Sequence, residues 1–213
     1  MSSVRSRISG EKNELFPVYL KLAKQRCLAV GAGKTMEDKI PTLLACGATL
    51  TVVAPVATPK IQRLAEAQKI AWFPRRFETQ DLDDMFLCVV ATSSKATNHA
   101  IFEQAQQCGV LCNVVRDGAC CNFYYPAVVK RGPLQIAIST AGHSGALAKR
   151  LREELEREFG PEWENWLRWL GEARSSLYDD PLSPRQRRTM LQKLASRKTQ
   201  EEMFRRWGVP PKR

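Results

Sequence analysis

The sequence predicts an α/β fold in which a parallel sheet covered by helices is followed by a small β segment and a helical part. Three observations carry that expectation. Residues 27–34 form a short apolar run that stops in a Gly-x-Gly turn. Similar apolar runs recur at 26–30, 48–54, 70–73, 86–91 and 110–115, with helix-like stretches between them at 35–46, 58–68 and 95–108. After residue 115 the alternation stops, and two β-type runs flank a Gly-Pro turn before a long helical composition begins at Ser144. Strands that alternate with helices make a parallel sheet covered on both faces, so residues 15–115 read as a Rossmann-like domain.

The first strand and its turn explain the chemistry. A strand, a Gly-x-Gly turn, a helix and a second strand within about thirty residues place a dinucleotide pyrophosphate on a helix N-terminus. Gly31 permits the tight turn, and Gly33 lacks the side chain that would hold backbone N–H groups away from a phosphate. Met36 stands at the third position of the fingerprint, and the second run ends at Ala54-Pro55-Val56 without a carboxylate for the ribose. Pro41 predicts a kink or an early end in the helix 35–46. In the helix 95–108, Ala96, Ala100, Ile101 and Ala105 are spaced to share one face.

Beyond the sheet, the runs around Arg131-Gly132-Pro133 predict a hairpin with no crossover helix, in a segment 116–143. Leu147, Leu151, Leu155 and Phe159 form an i, i+4 series, and Trp163, Trp166, Leu167 and Leu170 continue after Gly160-Pro161, which makes 144–178 helical. Residues 179–184 read as a linker and 185–207 as a basic amphipathic helix with a solvated or oligomer-facing surface, inside a basic C-terminal tail 179–213. Residues 1–14 are a polar N-terminal tail.

Thirty-three Lys and Arg against 22 acidic residues give a formal charge of +11, a surface field that attracts anions. Much of the excess lies in the last thirty residues or so, and nucleic acid is the weaker of the two polyanion readings. No run is long and apolar enough for a membrane span or a signal-peptide core, so a soluble, cytoplasmic protein is expected, with no membrane partner. Seven cysteines, several of them in apolar runs, suit reduced buried thiols. Cys108, Cys112, Cys120 and Cys121 lack the spacing of paired metal ligands, and no metal site is expected. Trp163, Trp166 and Trp169 read as a core or dimer seam, and His99 as a solvated or core histidine of its helix.

Many short blocks carry a family resemblance. They are Phe16-Pro17-Val18-Tyr19-Leu20, Val30-Gly31-Ala32-Gly33, Thr51-Val52-Val53-Ala54-Pro55, Val90-Ala91-Thr92 with Asn98, Cys112-Asn113-Val114-Val115, Arg131-Gly132-Pro133-Leu134 and Ile138-Ser139-Thr140-Ala141-Gly142-His143-Ser144. In order and spacing the chain resembles the precorrin-2 dehydrogenases, NAD-dependent enzymes of sirohaem synthesis. These occur alone or as the N-terminal module of multifunctional sirohaem synthases, some with ferrochelatase activity. The resemblance runs from about residue 16 to 178. It implies a homodimer, NAD as cofactor, precorrin-2 as tetrapyrrole substrate, and ferrous iron as a further substrate in the members that insert it. It places cofactor contacts at Lys34, Thr35, Pro55 and Val56, next to the phosphate turn of Gly31 and Gly33, and Thr92 is a further cofactor candidate. Many members carry a carboxylate directly after the Asn-Val-Val block as general base, where this chain has Arg116 and then Asp117.

Oxidation of precorrin-2 to sirohydrochlorin removes a hydride and a proton from a macrocycle bearing eight carboxylates, so a basic cleft suits it. Asn113, Arg116, Arg131 and Thr140 are the substrate-binding candidates, with Thr140 alternatively capping the next helix. His143, in a Gly-His-Ser turn, and Asp117 are the candidates for the proton. Arginine offers no proton-accepting atom, which leaves open an alternative: a non-catalytic relative that binds tetrapyrrole or nucleotide for delivery or regulation.

Overall fold

The computed structural model describes residues 14–209, so the expected N-terminal tail, Glu14 apart, and the last four residues of the basic tail lie outside the described residues. The chain forms two compact units, one up to Tyr124 and one from Tyr125.

The first unit is a five-stranded parallel sheet. Its strands are β1 (Arg26–Ala32), β2 (Thr49–Ala57), β3 (Ala71–Phe73), β4 (Leu87–Val90) and β5 (Leu111–Val114), in the order β3-β2-β1-β4-β5. β1 is central, and Leu28, Ala29 and Val30 are buried, as expected of a strand covered on both faces. Leu28, Val53, Cys88, Ile101 and Val114 belong to one core cluster that ties the sheet to the helix Lys95–Gln107. Losing one such large side chain costs about 2–5 kcal/mol.

Several sequence expectations change in detail. The stretch 35–46 is two short helices, α1 (Lys34–Glu37) and α2 (Ile40–Ala45), broken at Asp38 and Lys39. Pro41 sits in the first turn of α2, where its missing N–H costs nothing, so it starts a helix rather than kinking one. Met36, at the third position of the fingerprint, is fully buried. β2 does not end at Pro55 but runs to Ala57; its ladder to β3 covers only Thr51–Val53, and the pairing with β1 shifts between Val30 and Ala32. Pro55 lies in this irregular stretch, where its lack of a donor is tolerated. α3 (Pro59–Glu66), capped by Thr58, follows β2.

In α4 (Lys95–Gln107) the buried face is Ile101 and Ala105, with Asn98 and Phe102 partly buried, whereas Ala96 and Ala100 face water. The real stripe is i, i+3, i+4, i+7 counted from Asn98, which a purely apolar count misses.

The second unit begins with the expected hairpin, β6 (Ala127–Arg131) antiparallel to β7 (Leu134–Ile138). α5 (Gly145–Glu158) and α6 (Glu162–Asp179) follow. The single basic helix expected over 185–207 is instead α7 (Pro184–Leu194) and α8 (Arg197–Arg206), because Ser196 accepts from Thr199 N–H and caps a new helix. Both pack on α6. Trp166 is buried and stacks on Trp169 at 5.2 Å between ring centroids, while Phe204 and Trp207 meet it edge-on at 6.2 and 6.5 Å. The tryptophan stripe is thus core within this unit. Arg187 donates to the Leu177 and Leu182 carbonyls and lies 4.7 Å over the Tyr178 ring, so part of the basic excess is structural. No helix among the described residues is long and apolar enough to cross a membrane, and all seven cysteines are free thiols.

A polar clasp follows β3. Arg75 grips Asp81 through two hydrogen bonds of 2.6 and 2.9 Å, and the Glu78 N–H adds a third at 2.9 Å. Burial pushes the Asp81 carboxyl up, but the Arg75 hydrogen bonds, the Glu78 N–H and the Arg75 charge together hold it below its ordinary value. A lowered carboxyl stabilises the fold above the pKa of the unfolded chain, about 4, and that contribution fades as pH falls through the folded value. Asp81→Asn is therefore expected to lower stability by about 1–3 kcal/mol at neutral pH. Urea unfolding repeated in acid checks the sign, since the gap between variant and parent should shrink there.

Candidate functional site

In an open parallel sheet, ligands bind outside the carboxyl ends of the strands where the strand order reverses. Here that point lies between β1, which leads to β2 on one side, and β4 on the other. Gly31 has φ +94°, and a Cβ there would overlap the Ala91 carbonyl oxygen and lie 2.8 Å from the Ala91 carbonyl carbon. Only glycine lets the two strand ends approach this closely. Gly33 differs: its φ is −84°, and a Cβ would meet nothing within 4 Å. It faces open space at the start of α1, whose first N–H groups have no partner within the helix.

Around this crevice the sheet gathers the expected cofactor residues. Lys34 and Thr35 follow the turn, and Pro55 and Val56 lie exposed near the carboxyl end of β2, Val56 at 78%. Thr92 follows β4. Its hydroxyl donates to Asn98 Oδ1 at 2.6 Å, its N–H reaches the same oxygen at 3.2 Å, and Asn98 Nδ2 returns to the Thr92 carbonyl at 3.3 Å. Asn98 therefore fixes the β4–α4 turn.

Glu37 of α1 brings a carboxylate to Thr58, just past the end of β2. Its side chain is 11% exposed and pairs with Lys34 at 3.5 Å and Lys60 at 3.7 Å. A hydrogen bond with Thr58, just past β2, is the main cause holding its carboxyl below the ordinary value; burial opposes it, and the two lysines assist. Sequence spacing gives no sign of this, because the break after α1 is what turns Glu37 toward Thr58.

On β5 and the turn after it, Asn113 is buried and donates to the Phe123 carbonyl at 2.7 Å and the Cys121 sulfur at 3.2 Å, holding that turn in place. Arg116 is exposed with φ +67°. Asp117 meets His99 Nε2 at 2.8 Å. The His99 hydrogen bond is the main cause that lowers its carboxyl; burial opposes, and the Ala119 N–H and the His99 and Lys95 charges assist. A lowered carboxyl is a weaker base near neutral pH. His99, read from sequence as a solvated or core residue, is the partner that reading missed. The four clustered cysteines separate: Cys112 is buried in β5, Cys108 is exposed, and Cys121 donates to the Val114 and Asp117 carbonyls.

Three candidates belong to the second unit. Arg131 donates to the Glu156 and Phe159 carbonyls at 3.1 and 2.7 Å and to the Lys130 carbonyl at 2.9 Å, so the expected carboxylate clamp serves as the cap of α5. Thr140 does not cap α5: Ser144 does, accepting from the Leu147 N–H, and the Thr140 hydroxyl clasps the Ser144 backbone. His143 is exposed, with Nδ1 3.1 Å from the Thr140 carbonyl oxygen, a contact in which Nδ1–H donates.

The two glycines separate folding from binding. Gly33→Ala should fold with unchanged melting temperature and lose about tenfold or more in NAD affinity by calorimetry, because its Cβ enters the space a phosphate needs. Gly31→Ala should lower the melting temperature as well, through the overlap with Ala91.

Comparison with known proteins agrees with this geometry. An NAD(P)-binding family model matches residues 18–127, more than half of the chain, and the model of the central part of sirohaem biosynthesis proteins matches 131–158. The chain is 41% identical over 143 residues to the siroheme synthase of Chromobacterium violaceum, covering 67% of this chain and 30% of that protein. It is 33% identical over 176 residues to the siroheme synthase of Photorhabdus laumondii, covering 83% and 37%. The chain thus spans about a third of the length of these curated relatives. Among solved structures, the precorrin-2 dehydrogenase SirC superposes with a TM-score of 0.72 at 26% identity, covering 86% of this chain and 90% of that one. The chain belongs to the NAD(P)-binding family of sirohaem-synthesis proteins, to which its siroheme synthase relatives and the precorrin-2 dehydrogenase structure are similar.

Proposed function

We propose that this protein oxidises precorrin-2 to sirohydrochlorin with NAD, in the cytoplasm and as a homodimer. The observation that carries the reading is the crevice at the β1–β4 switch point, with Gly33 open to solvent and a rigid Thr92–Asn98 turn facing it, in a chain of this family. The residues present fit a dinucleotide. Gly33, Lys34 and Thr35 offer backbone N–H groups and a cation to the pyrophosphate, and Pro55 and Val56 give an exposed apolar edge for an adenine ring.

When bound, the nicotinamide supplies a hydride acceptor. The protein has to hold the macrocycle and take up a proton. Its positive balance of +11 favours an eight-carboxylate substrate, with exposed Arg116 as a contact. For the proton, His143 is favoured over Asp117: its imidazole is exposed, whereas the Asp117 carboxyl is lowered by its bond to His99. Ferrous insertion is the lesser part of the proposal, because Arg116 stands where many members place a carboxylate.

The test is to give the purified protein fresh precorrin-2 and NAD without metal and to follow NADH and sirohydrochlorin together. One-for-one appearance of both is expected. Tight tetrapyrrole binding with neither product would instead assign the chain a binding role. His143→Ala should lower turnover about a hundredfold while leaving NAD affinity unchanged; an unaffected rate returns the proton to another group.

A further inference from the structure

We propose that His99, Asp117 and Cys120 form a three-ligand site for a divalent transition metal of the zinc class, a property beyond the dehydrogenase reading and independent of it. His99 lies in the second turn of α4, and the other two residues lie in the turn that follows β5. That turn is closed by three backbone bonds, Asp117 N–H to Val114, Cys120 N–H to Asp117 and Val114 N–H to Cys120, which bring Asp117 and Cys120 to the same side of the chain. One ligand atom from each residue lies within 4.8 Å of the other two, and His99 Nε2 and Asp117 Oδ2 are 2.8 Å apart.

Zinc binds nitrogen and oxygen at about 2.0–2.2 Å and sulfur at about 2.3 Å, so its tetrahedral donors stand roughly 3.4–3.7 Å apart. No pair in the cluster is more than 4.8 Å apart, and His99 Nε2 and Asp117 Oδ2, at 2.8 Å, would part slightly to admit a cation. An imidazole nitrogen, a carboxylate oxygen and a thiolate are a borderline donor set that suits zinc, cobalt or ferrous iron better than magnesium or calcium. A carboxylate and a thiolate together balance the charge of a divalent ion, and binding it releases the Cys120 thiol proton; the Lys95 charge, which also acts on Asp117, opposes the ion.

Exposure sets the character of the site. Cys120 is buried, the Asp117 side chain is 20% exposed and that of His99 is 41%, so the cluster opens to solvent along one side. Three protein ligands with one open position make an exchangeable site, unlike the closed four-ligand sites that hold folds together. Cys121 takes no part, because its thiol is directed at the Val114 and Asp117 carbonyls. A bound ion would clip α4 to the turn after β5, which Asn113 also holds.

The experiment uses the full chain, reduced and stripped of metal, titrated with cobalt(II) and then zinc(II). One cobalt per chain is expected, with a near-ultraviolet thiolate charge-transfer band, visible bands of a tetrahedral ion, and displacement of both by zinc. Cys120→Ser should abolish the thiolate band, and His99→Ala should weaken cobalt binding at least tenfold. Replacing the exposed Cys46 and Cys108 together by serine should change neither. His99 is partly exposed, so its variant keeps the test decisive if the Cys120 variant fails to fold. Absence of a thiolate band, a band that survives Cys120→Ser, or affinity unmoved by His99→Ala would overturn the site. NAD binding measured on the same samples keeps this outcome apart from that of the dehydrogenase.

Discussion

The close approach of two backbones, Gly31 at the end of β1 and the Ala91 carbonyl at the end of β4, is the constraint on which the rest of the first unit depends. It occurs where the strand order reverses, so the crevice between the strand ends is as narrow as the peptide chain permits. A side chain at Gly31 would part β1 from β4, and the turn after each strand would move with it. The left-handed conformation of Gly31 also shifts the pairing of β1 with β2, which lets β2 run past Pro55 to Ala57 and brings Thr58 into bonding distance of the Ala32 carbonyl.

From that contact outward, each layer restrains the next. Buried apolar side chains on both faces make the sheet a rigid base. The β4–α4 turn is locked by Asn98, the turn after β5 by Asn113, and the end of β2 by the Glu37–Thr58 contact. Polar side chains thus hold three of the carboxyl-end segments, which keeps a binding edge preorganised without burying it. In the second unit the same economy appears in Arg131 and Arg187, whose guanidinium groups satisfy carbonyls left open at helix ends and turns.

Much of the sheet was legible because its strands are continuous apolar runs separated by helical spacing. Periodicity alone could not show where those elements end. Pro55 reads as a stop because it lacks a backbone donor, yet β2 passes it beyond the end of the β3 ladder and pairs again with β1 at Ala57. Ala96 and Ala100 are apolar by composition but too small to demand burial, so Asn98, a polar residue with a backbone partner, sits nearer the core instead. The basic stretch hid Phe204 and Trp207, whose spacing becomes meaningful only once Ser196 restarts the helix. The glycine turn was legible because its residue types are dictated by backbone geometry. The His99–Asp117 pair and the capping role of Arg131 were not, since both depend on contacts between residues 18 and 28 positions apart.

Hydrogen exchange of the backbone amides with and without NAD shows whether a dinucleotide occupies the β1–β4 crevice. Occupancy slows exchange in three segments of the first unit: the turn 31–35, the end of β2 around 55–58, and the turn 92–98. NAD binding that left these segments unchanged and protected another region would contradict it.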